Sequence, residues 1–139
     1  MTTSTAKTPD ASAAPAPRTE EVLRLIGDDG VIVGSFAELG HSTKDVDVVV
    51  PQNPDTEGPT SLVIQRVYQR YAPYCESDAV GHLWVHALPL PVELFATKAW
   101  RTGDPEKDRK RLEYRQARRK CQRRTVLGVE MQVYAPPAR

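Results

Sequence analysis

The sequence has few cysteines, few aromatic residues and no long hydrophobic run, and each shortage excludes a class of protein. Its two cysteines, Cys75 and Cys121, are far apart, so neither a disulfide framework nor a cysteine-based zinc site is expected. Because reduced thiols are typical of the cytoplasm, we predict a cytoplasmic protein. Aromatic residues form 6% of the chain, which does not favour a stacking surface for single-stranded nucleic acid.

Apolar segments long enough for a membrane are also missing. No run approaches the roughly 20 apolar residues of a membrane-spanning helix, so we expect no membrane partner. Residues 1–17 are rich in Thr, Ala, Pro and Ser and contain no hydrophobic segment. This composition predicts a disordered tail rather than a secretory signal, followed by a single domain over residues 18–139.

Charge is nearly balanced in total but strongly segregated along the chain. Of 19 basic and 18 acidic residues, twelve basic and four acidic ones lie between 98 and 124, so this segment carries +8 and the remainder −7. Such asymmetry favours a nucleic-acid, nucleotide or phosphate partner. The alternative is that the basic segment neutralises the acidic remainder of the same chain.

Hydrophobic periodicity and turn residues predict an α+β fold, in which a small mixed β-sheet is flanked by helices. The predicted helices cover residues 19–26, with Thr19 as N-cap, 36–39 (a single turn), a segment that follows Thr60 or Ser61 as N-cap and runs to about 71, and 104–124. The predicted strands cover residues 31–33, 45–50, 82–88, 92–95 and 129–134. We expect the strand at 45–50 to lie at the centre of the sheet.

The helix predicted over 104–124 carries most of the basic segment. Asp104 and Pro105 are typical of a helix start, and the spacing of Tyr114, Ala117 and Cys121 would place them toward the core. Four arginines would then face outward, where their guanidinium groups could bind phosphate or nucleic acid: Arg111, Arg115, Arg118 and Arg119.

Gly34-Ser35 and Asp45-Val46-Asp47 form the most informative pattern. Residues i and i+2 of a strand share a face, so Asp45 and Asp47 would place two carboxylates side by side. Two adjacent anions are stable together when a cation bridges them, and Mg²⁺ takes one or two carboxylates plus substrate phosphates. Gly34 permits close backbone approach and Ser35 adds a hydroxyl, which suits a phosphate. The alternatives are a solvated strand start and an ordinary strand-ending turn.

A third carboxylate, Glu93, lies within a short apolar strand. An acid in such a strand is costly unless it faces a metal, a base or water. If this strand pairs with the Asp-x-Asp strand, three carboxylates meet and could hold two Mg²⁺ ions. A structural acid paired with an arginine is the alternative. His82 and His86 share one face of a strand, but no cysteine or third histidine supports a zinc site there.

These residues resemble the nucleotidyltransferase superfamily named for DNA polymerase beta. Its pattern is a hydrophobic residue followed by Gly-(Gly/Ser), then Asp-x-Asp between hydrophobic residues, and an acid on a later strand. The matching segments, within residues 20–96, are Val33-Gly34-Ser35, Lys44-Asp45-Val46-Asp47-Val48-Val49 and Val92-Glu93-Leu94-Phe95. The third acid is Glu here, where Asp is more frequent.

The resemblance implies transfer of a nucleoside monophosphate from a nucleoside triphosphate such as ATP to an acceptor hydroxyl, with release of pyrophosphate. It implies that Asp45, Asp47 and Glu93 bind Mg²⁺ or Mn²⁺, and that Glu93 accepts the hydroxyl proton. Gly34 and Ser35 would hold the β- and γ-phosphates, with Lys44 near them. The acceptor stays open between RNA or tRNA, a protein and a small molecule.

A second hypothesis is a non-catalytic module of the same fold, such as a toxin–antitoxin component or a nucleic-acid adaptor. It would bind its partner through the basic helix.

Overall fold

A computed structural model describes residues 15–51, 61–78, 82–96, 103–106, 108–109 and 116–135. Most of the predicted N-terminal tail, and with it Arg111, Tyr114 and Arg115 of the predicted basic helix, lies outside these residues. Within them, no helix has the length and apolar character needed to cross a bilayer. Both cysteines are free thiols.

In the described part of the chain, seven strands form one mixed sheet. They are Val31–Val33 (β1), Val46–Val50 (β2), Cys75–Asp78 (β3), His82–Val85 (β4), Val92–Ala96 (β5), Cys121–Val126 (β6) and Val129–Tyr134 (β7). The order across the sheet is β3-β4-β5-β2-β1-β7-β6, with β2 parallel to β5 and β1 parallel to β7, and the other neighbours antiparallel. The predicted mixed sheet and the central place of β2 are therefore confirmed.

The helices are Thr19–Ile26 (α1), Ser35–Leu39 (α2) and Leu62–Tyr71 (α3). Ser61 caps α3 as predicted, because its Oγ accepts the Val63 N–H at 3.2 Å. Thr19 is not the N-cap of α1, since that position belongs to Arg18. The Thr19 hydroxyl instead donates to the Leu90 carbonyl at 2.6 Å, which ties α1 to the connection between β4 and β5.

The acidic residues of β2 and β5 lie on one face of the sheet only. Side chains opposite each other on paired strands share a face, so Val46, Val48 and Val50 lie with Val92 and Leu94 on one face, and all five are fully buried. Helix α1 packs on this face, and α3 contacts both α1 and β4. The other face, here called the site face, carries the acidic residues of β2 and β5.

The predicted basic helix is wrong over its second half. It begins as expected, because Asp104 accepts the Glu106 N–H at 3.0 Å and residues 105–106 and 108–109 are helical. Residues 117–120 form a 3₁₀ turn, however, and Cys121–Val126 is strand β6. Leu127 and Gly128 both adopt positive φ, which is the geometry of a tight hairpin turn, so pairing with β7 overrides the helical propensity of the arginine-rich sequence.

Two further strand predictions differ from the structure. The strand predicted over 82–88 ends at Val85, because the Leu88 amide bends away to bond the Pro17 carbonyl at 3.0 Å. Strand β3 was not predicted, since its four residues follow α3 closely and show no apolar alternation.

Candidate functional site

Three carboxylates meet on the site face where β2 pairs with β5. Asp47 lies directly opposite Glu93 in the parallel register, and Asp45 comes just before β2. One ligand oxygen from each of the three residues lies within 4.8 Å of the others. The Asp45 N–H donates to Ser42 Oγ at 3.4 Å, which orders the approach to the strand. The three acids that the sequence singled out are thus brought together.

Gly34 lies directly against this cluster because Val33, at the end of β1, is paired with Asp47. Its φ of 69° and ψ of −145° belong to a region that side-chain-bearing residues rarely adopt. A Cβ at this position would lie 2.6 Å from Asp47 Oδ2, so only glycine fits. Ser35 follows as the first, exposed residue of α2. The Gly-Ser step and the acid cluster are therefore adjacent, as the sequence predicted.

The pKa values of the two aspartates are shifted upward. Burial, followed by the nearby charges of Asp45 and Glu93, raises the pKa of Asp47 to about 7. Burial and Glu93 likewise raise the pKa of Asp45, and the opposing effect of Lys44 is the smallest contribution. Lys44 itself is exposed. The cluster therefore holds its negative charge unfavourably, and a bound cation would relieve this repulsion.

His82 is the neighbour of this cluster that the sequence did not assign to it. Its Nε2 lies 2.6 Å from Glu93 Oε2, and its ring centroid lies 5.4 Å from that of Phe95. An ionised carboxylate only accepts hydrogen bonds, so in that state of Glu93 the donor is His82 Nε2–H. His86, which shares the strand face, instead bonds Glu76. The two histidines therefore have separate carboxylate partners.

The donor set fits a hard divalent cation. Carboxylate oxygens are the ligands that Mg²⁺ and Mn²⁺ prefer, and here three side chains supply them from two neighbouring strands and the turn before one of them. His82 Nε2 bonds Oε2 of Glu93 and so orients that carboxylate beside the two aspartates. This arrangement resembles the support that neighbouring hydrogen bonds give to ligating carboxylates in metal sites.

Two described arginines of the basic segment, Arg118 and Arg123, bond residues far from them in the chain. Arg118 donates to the carbonyls of Asp28 and Asp29 at 2.9 and 2.6 Å, and Arg123 donates to Asp28 Oδ1 at 2.9 Å. Arg119 is exposed. These contacts support the alternative that the basic segment neutralises acids elsewhere in the chain.

An open groove of about 510 Å³ lies on the site face. Its lining side chains come from β3, β4 and the residue after β4: Glu76, Ser77, His82, Trp84 and His86. Trp84 and Glu76 were not predicted as site residues. Trp84 lies opposite Glu93 across the β4–β5 pair, and because this depends on the strand register, no signal in the sequence marks it.

Comparison with known proteins gave no match. No protein-family model matches the chain, and no similar curated protein or solved structure was found.

Proposed function

We propose that this protein is a metal-dependent nucleotidyltransferase that moves a nucleoside monophosphate from a nucleoside triphosphate to an acceptor hydroxyl. The observation that carries the proposal is the convergence of Asp45, Asp47 and Glu93 within 4.8 Å, beside the Gly34–Ser35 step. A nucleotidyltransferase-like fold is part of the same proposal, since it is the architecture that the motif order resembles.

The site residues have distinct parts in this proposal. Asp45 and Asp47, together with Glu93, would hold the metal, which when bound would neutralise phosphate charge and polarise the α-phosphate. Because Gly34 has no side chain, its backbone lies close to Asp47, so the backbone and the hydroxyl at Gly34 and Ser35 would hold the β- and γ-phosphates beside the metal ligands. Exposed Lys44 lies within electrostatic reach of the cluster and would contact a phosphate oxygen.

Chemistry would proceed by in-line displacement at the α-phosphorus. The acceptor oxygen forms a bond to phosphorus, the bond from that phosphorus to the α,β-bridging oxygen breaks, and pyrophosphate leaves with the electron pair. The hydroxyl proton passes to the Glu93 carboxylate, whose orientation is fixed by His82 Nε2–H. Most of the rate enhancement would come from positioning and charge neutralisation.

Calorimetry of nucleotide binding tests the proposal. ATP and CTP are titrated into the protein with and without Mg²⁺, and at least one is expected to bind in a Mg²⁺-dependent way. Asp47→Asn should abolish this binding, because it removes a ligand while keeping the shape of the side chain. Glu130→Gln is the matched control, since Glu130 is an exposed acid on β7 outside the site.

The same experiment separates the second hypothesis. Salt-dependent binding of RNA, with no binding of either nucleotide in the presence of Mg²⁺, would contradict the enzyme and favour a nucleic-acid-binding module. Retained nucleotide binding in Asp47→Asn would contradict the assigned site.

A further inference from the structure

The groove on β3 and β4 is continuous with the carboxylate cluster. His82 lines the groove and also bonds Glu93 at 2.6 Å. Trp84, a second lining residue, lies directly opposite Glu93 in the antiparallel pairing of β4 with β5. A molecule in the groove therefore lies alongside Glu93, which the proposed function makes the acceptor of the hydroxyl proton.

Three of the lining side chains are hydrogen-bonded to one another in a chain that runs from Trp84 through His86 to Glu76. The Trp84 Nε1–H donates to His86 Nδ1 at 3.2 Å, which requires the hydrogen of a neutral His86 to be on Nε2, and this nitrogen bonds Glu76. The rings of Trp84 and His86 meet edge to face. Glu76 and His86 are 71% and 53% exposed, so this network adds little to stability. Its effect is to present an indole, an imidazole and a carboxylate in a fixed arrangement.

The chemistry of the lining selects against anions. None of its five described residues is lysine or arginine, Glu76 contributes a carboxylate, and Glu93 stands next to the groove. Among the described residues of the lining, a phosphodiester chain would meet repulsion from the carboxylates and no compensating lysine or arginine. A ring with hydroxyl groups fits better, because its C–H face can pack on the indole and its hydroxyls can donate to the Glu76 carboxylate. The volume of about 510 Å³ is in the range for a small molecule.

We propose that this groove binds the acceptor of the transfer reaction, and that the acceptor is a neutral or cationic sugar-like polyol. The inference rests on the proposed function for the identity of the reaction, but the binding of the polyol needs neither metal nor nucleotide. One ring hydroxyl would face Glu93 and attack the α-phosphorus as described above.

Nuclear magnetic resonance of the ¹⁵N-labelled tryptophan indoles tests the groove directly. The probes are D-glucosamine, D-glucose and D-glucose 6-phosphate, which share a ring and differ in charge, and the Trp84 indole signal is assigned with Trp84→Phe. Glucosamine and glucose should shift this signal in a saturable way, with glucose 6-phosphate binding roughly tenfold more weakly. Absence of a shift with all three sugars, or equal binding of the phosphorylated sugar, would overturn the proposal.

Variants show whether the named side chains carry the binding. Saturation-transfer measurements on glucosamine should show a roughly tenfold loss of affinity in Trp84→Ala and little change in Tyr68→Ala, which removes an exposed aromatic residue on α3. Glu76→Gln should reduce the preference for glucosamine over glucose. Equal affinity of Trp84→Ala and the wild type, with both folded by circular dichroism, would overturn the assignment.

Nucleotide competition separates this inference from the proposed function. Mg²⁺ and ATP should leave glucosamine affinity unchanged or raise it, because acceptor and nucleotide occupy adjacent places. Displacement of glucosamine by ATP would overturn the acceptor assignment and make the groove part of the nucleotide site. Asp47→Asn should retain glucosamine binding while it loses nucleotide binding, so failure of one proposal is visible without the other.

Discussion

Two acidic clusters of this protein are balanced in different ways. Asp28 and Asp29 lie on an exposed 3₁₀ turn after α1, and each side chain has an arginine partner. Arg123 reaches Asp28 at 2.9 Å, and Arg66 reaches Asp29 at 3.3 Å. Arg118 adds hydrogen bonds to the two carbonyls of the turn. This cluster is neutralised within the chain.

The cluster of Asp45, Asp47 and Glu93 is more buried and less well neutralised. Among the residues that the structure describes, none of these three carboxylates has a salt bridge to lysine or arginine, and His82 is the partner of Glu93. The pKa of Asp47 is raised to about 7 mainly by burial. Among the described residues, arginines pair with the exposed acids of the first cluster and not with the more buried acids of the second, which favours a cation from solution at the second cluster.

The largest effect is expected from removing the central carboxylate. Asp47→Ala should abolish nucleotide transfer and Mg²⁺-dependent nucleotide binding while the protein stays folded, because this side chain lies between Asp45 and Glu93 in charge contact with both. Circular dichroism and calorimetry on the same samples provide the measurement. Asp28→Ala is the control from the other cluster. Loss of nucleotide binding in that variant as well would contradict the proposed difference between the two clusters.

The next effect concerns the glycine behind the cluster. Gly34→Ala should destabilise the protein by about 3 kcal/mol and weaken nucleotide binding, because it adds backbone strain and a Cβ 2.6 Å from Asp47 Oδ2. Gly27→Ala tests strain alone, since Gly27 has φ of 61° and ψ of −150°, close to the angles of Gly34, and no atom lies within 4 Å of its Cβ position. That control should cost about 2 kcal/mol in urea unfolding. Equal losses in the two variants would mean that contact with Asp47 is unimportant.

The strands that the sequence predicted and the strands that it missed differ in how deeply their side chains are buried. Strands β1, β2, β5 and β7 were found because their apolar residues are buried and their valine runs and alternation reflect this. Strands β3 and β6 were missed because they are the two edges of the sheet, and most described side chains of β6 are exposed. Their strand structure comes from pairing with β4 and β7, which no local pattern in their own residues encodes.

Two features of the sequence predicted the site: the alternation of side chains along a strand, and the resemblance of the motifs to a known family. Because alternate residues of a strand share a face, Asp45 was expected beside Asp47, and the pairing of β2 with β5 brings Glu93 next to them. The contact of His82 with Glu93 could not be predicted, because it depends on the register of β4 against β5, where His82 lies diagonally from Glu93. The same register places Trp84 opposite Glu93. Residue types alone do not specify a register.

The pH dependence of the free energy of unfolding should also distinguish the two clusters. The unfolded Asp47 carboxyl ionises near its ordinary pKa of 3.8, whereas the folded one keeps its proton up to about 7. Between these values the unfolded state binds fewer protons, so stability without divalent cations falls as pH rises from about 4 to 7 and then levels off. The contribution of Asp47 is at most about 4 kcal/mol. Thermal melting of wild type and Asp47→Asn across this range measures it.

The Asp47→Asn variant should be as stable as the wild type near pH 4 and more stable above pH 7, because it lacks the charge that burial disfavours. Mg²⁺ should raise the melting temperature of the wild type more at pH 8 than at pH 5, since binding requires deprotonated ligands. A stability difference between the two proteins that does not change with pH would contradict the assigned cause.

The smallest effect is expected at the neutralised cluster. Arg123→Gln removes the ion pair with Asp28, and because both side chains are more than half exposed, it should cost about 0.5 kcal/mol at low salt and less in 0.5 M NaCl. A double-mutant cycle with Asp28→Asn isolates the pair. Nucleotide binding should stay at the wild-type level, since the pair serves the fold rather than the site. A coupling energy above about 2 kcal/mol would contradict this, because exposed pairs do not reach that value, and the two acidic clusters would then no longer differ in kind.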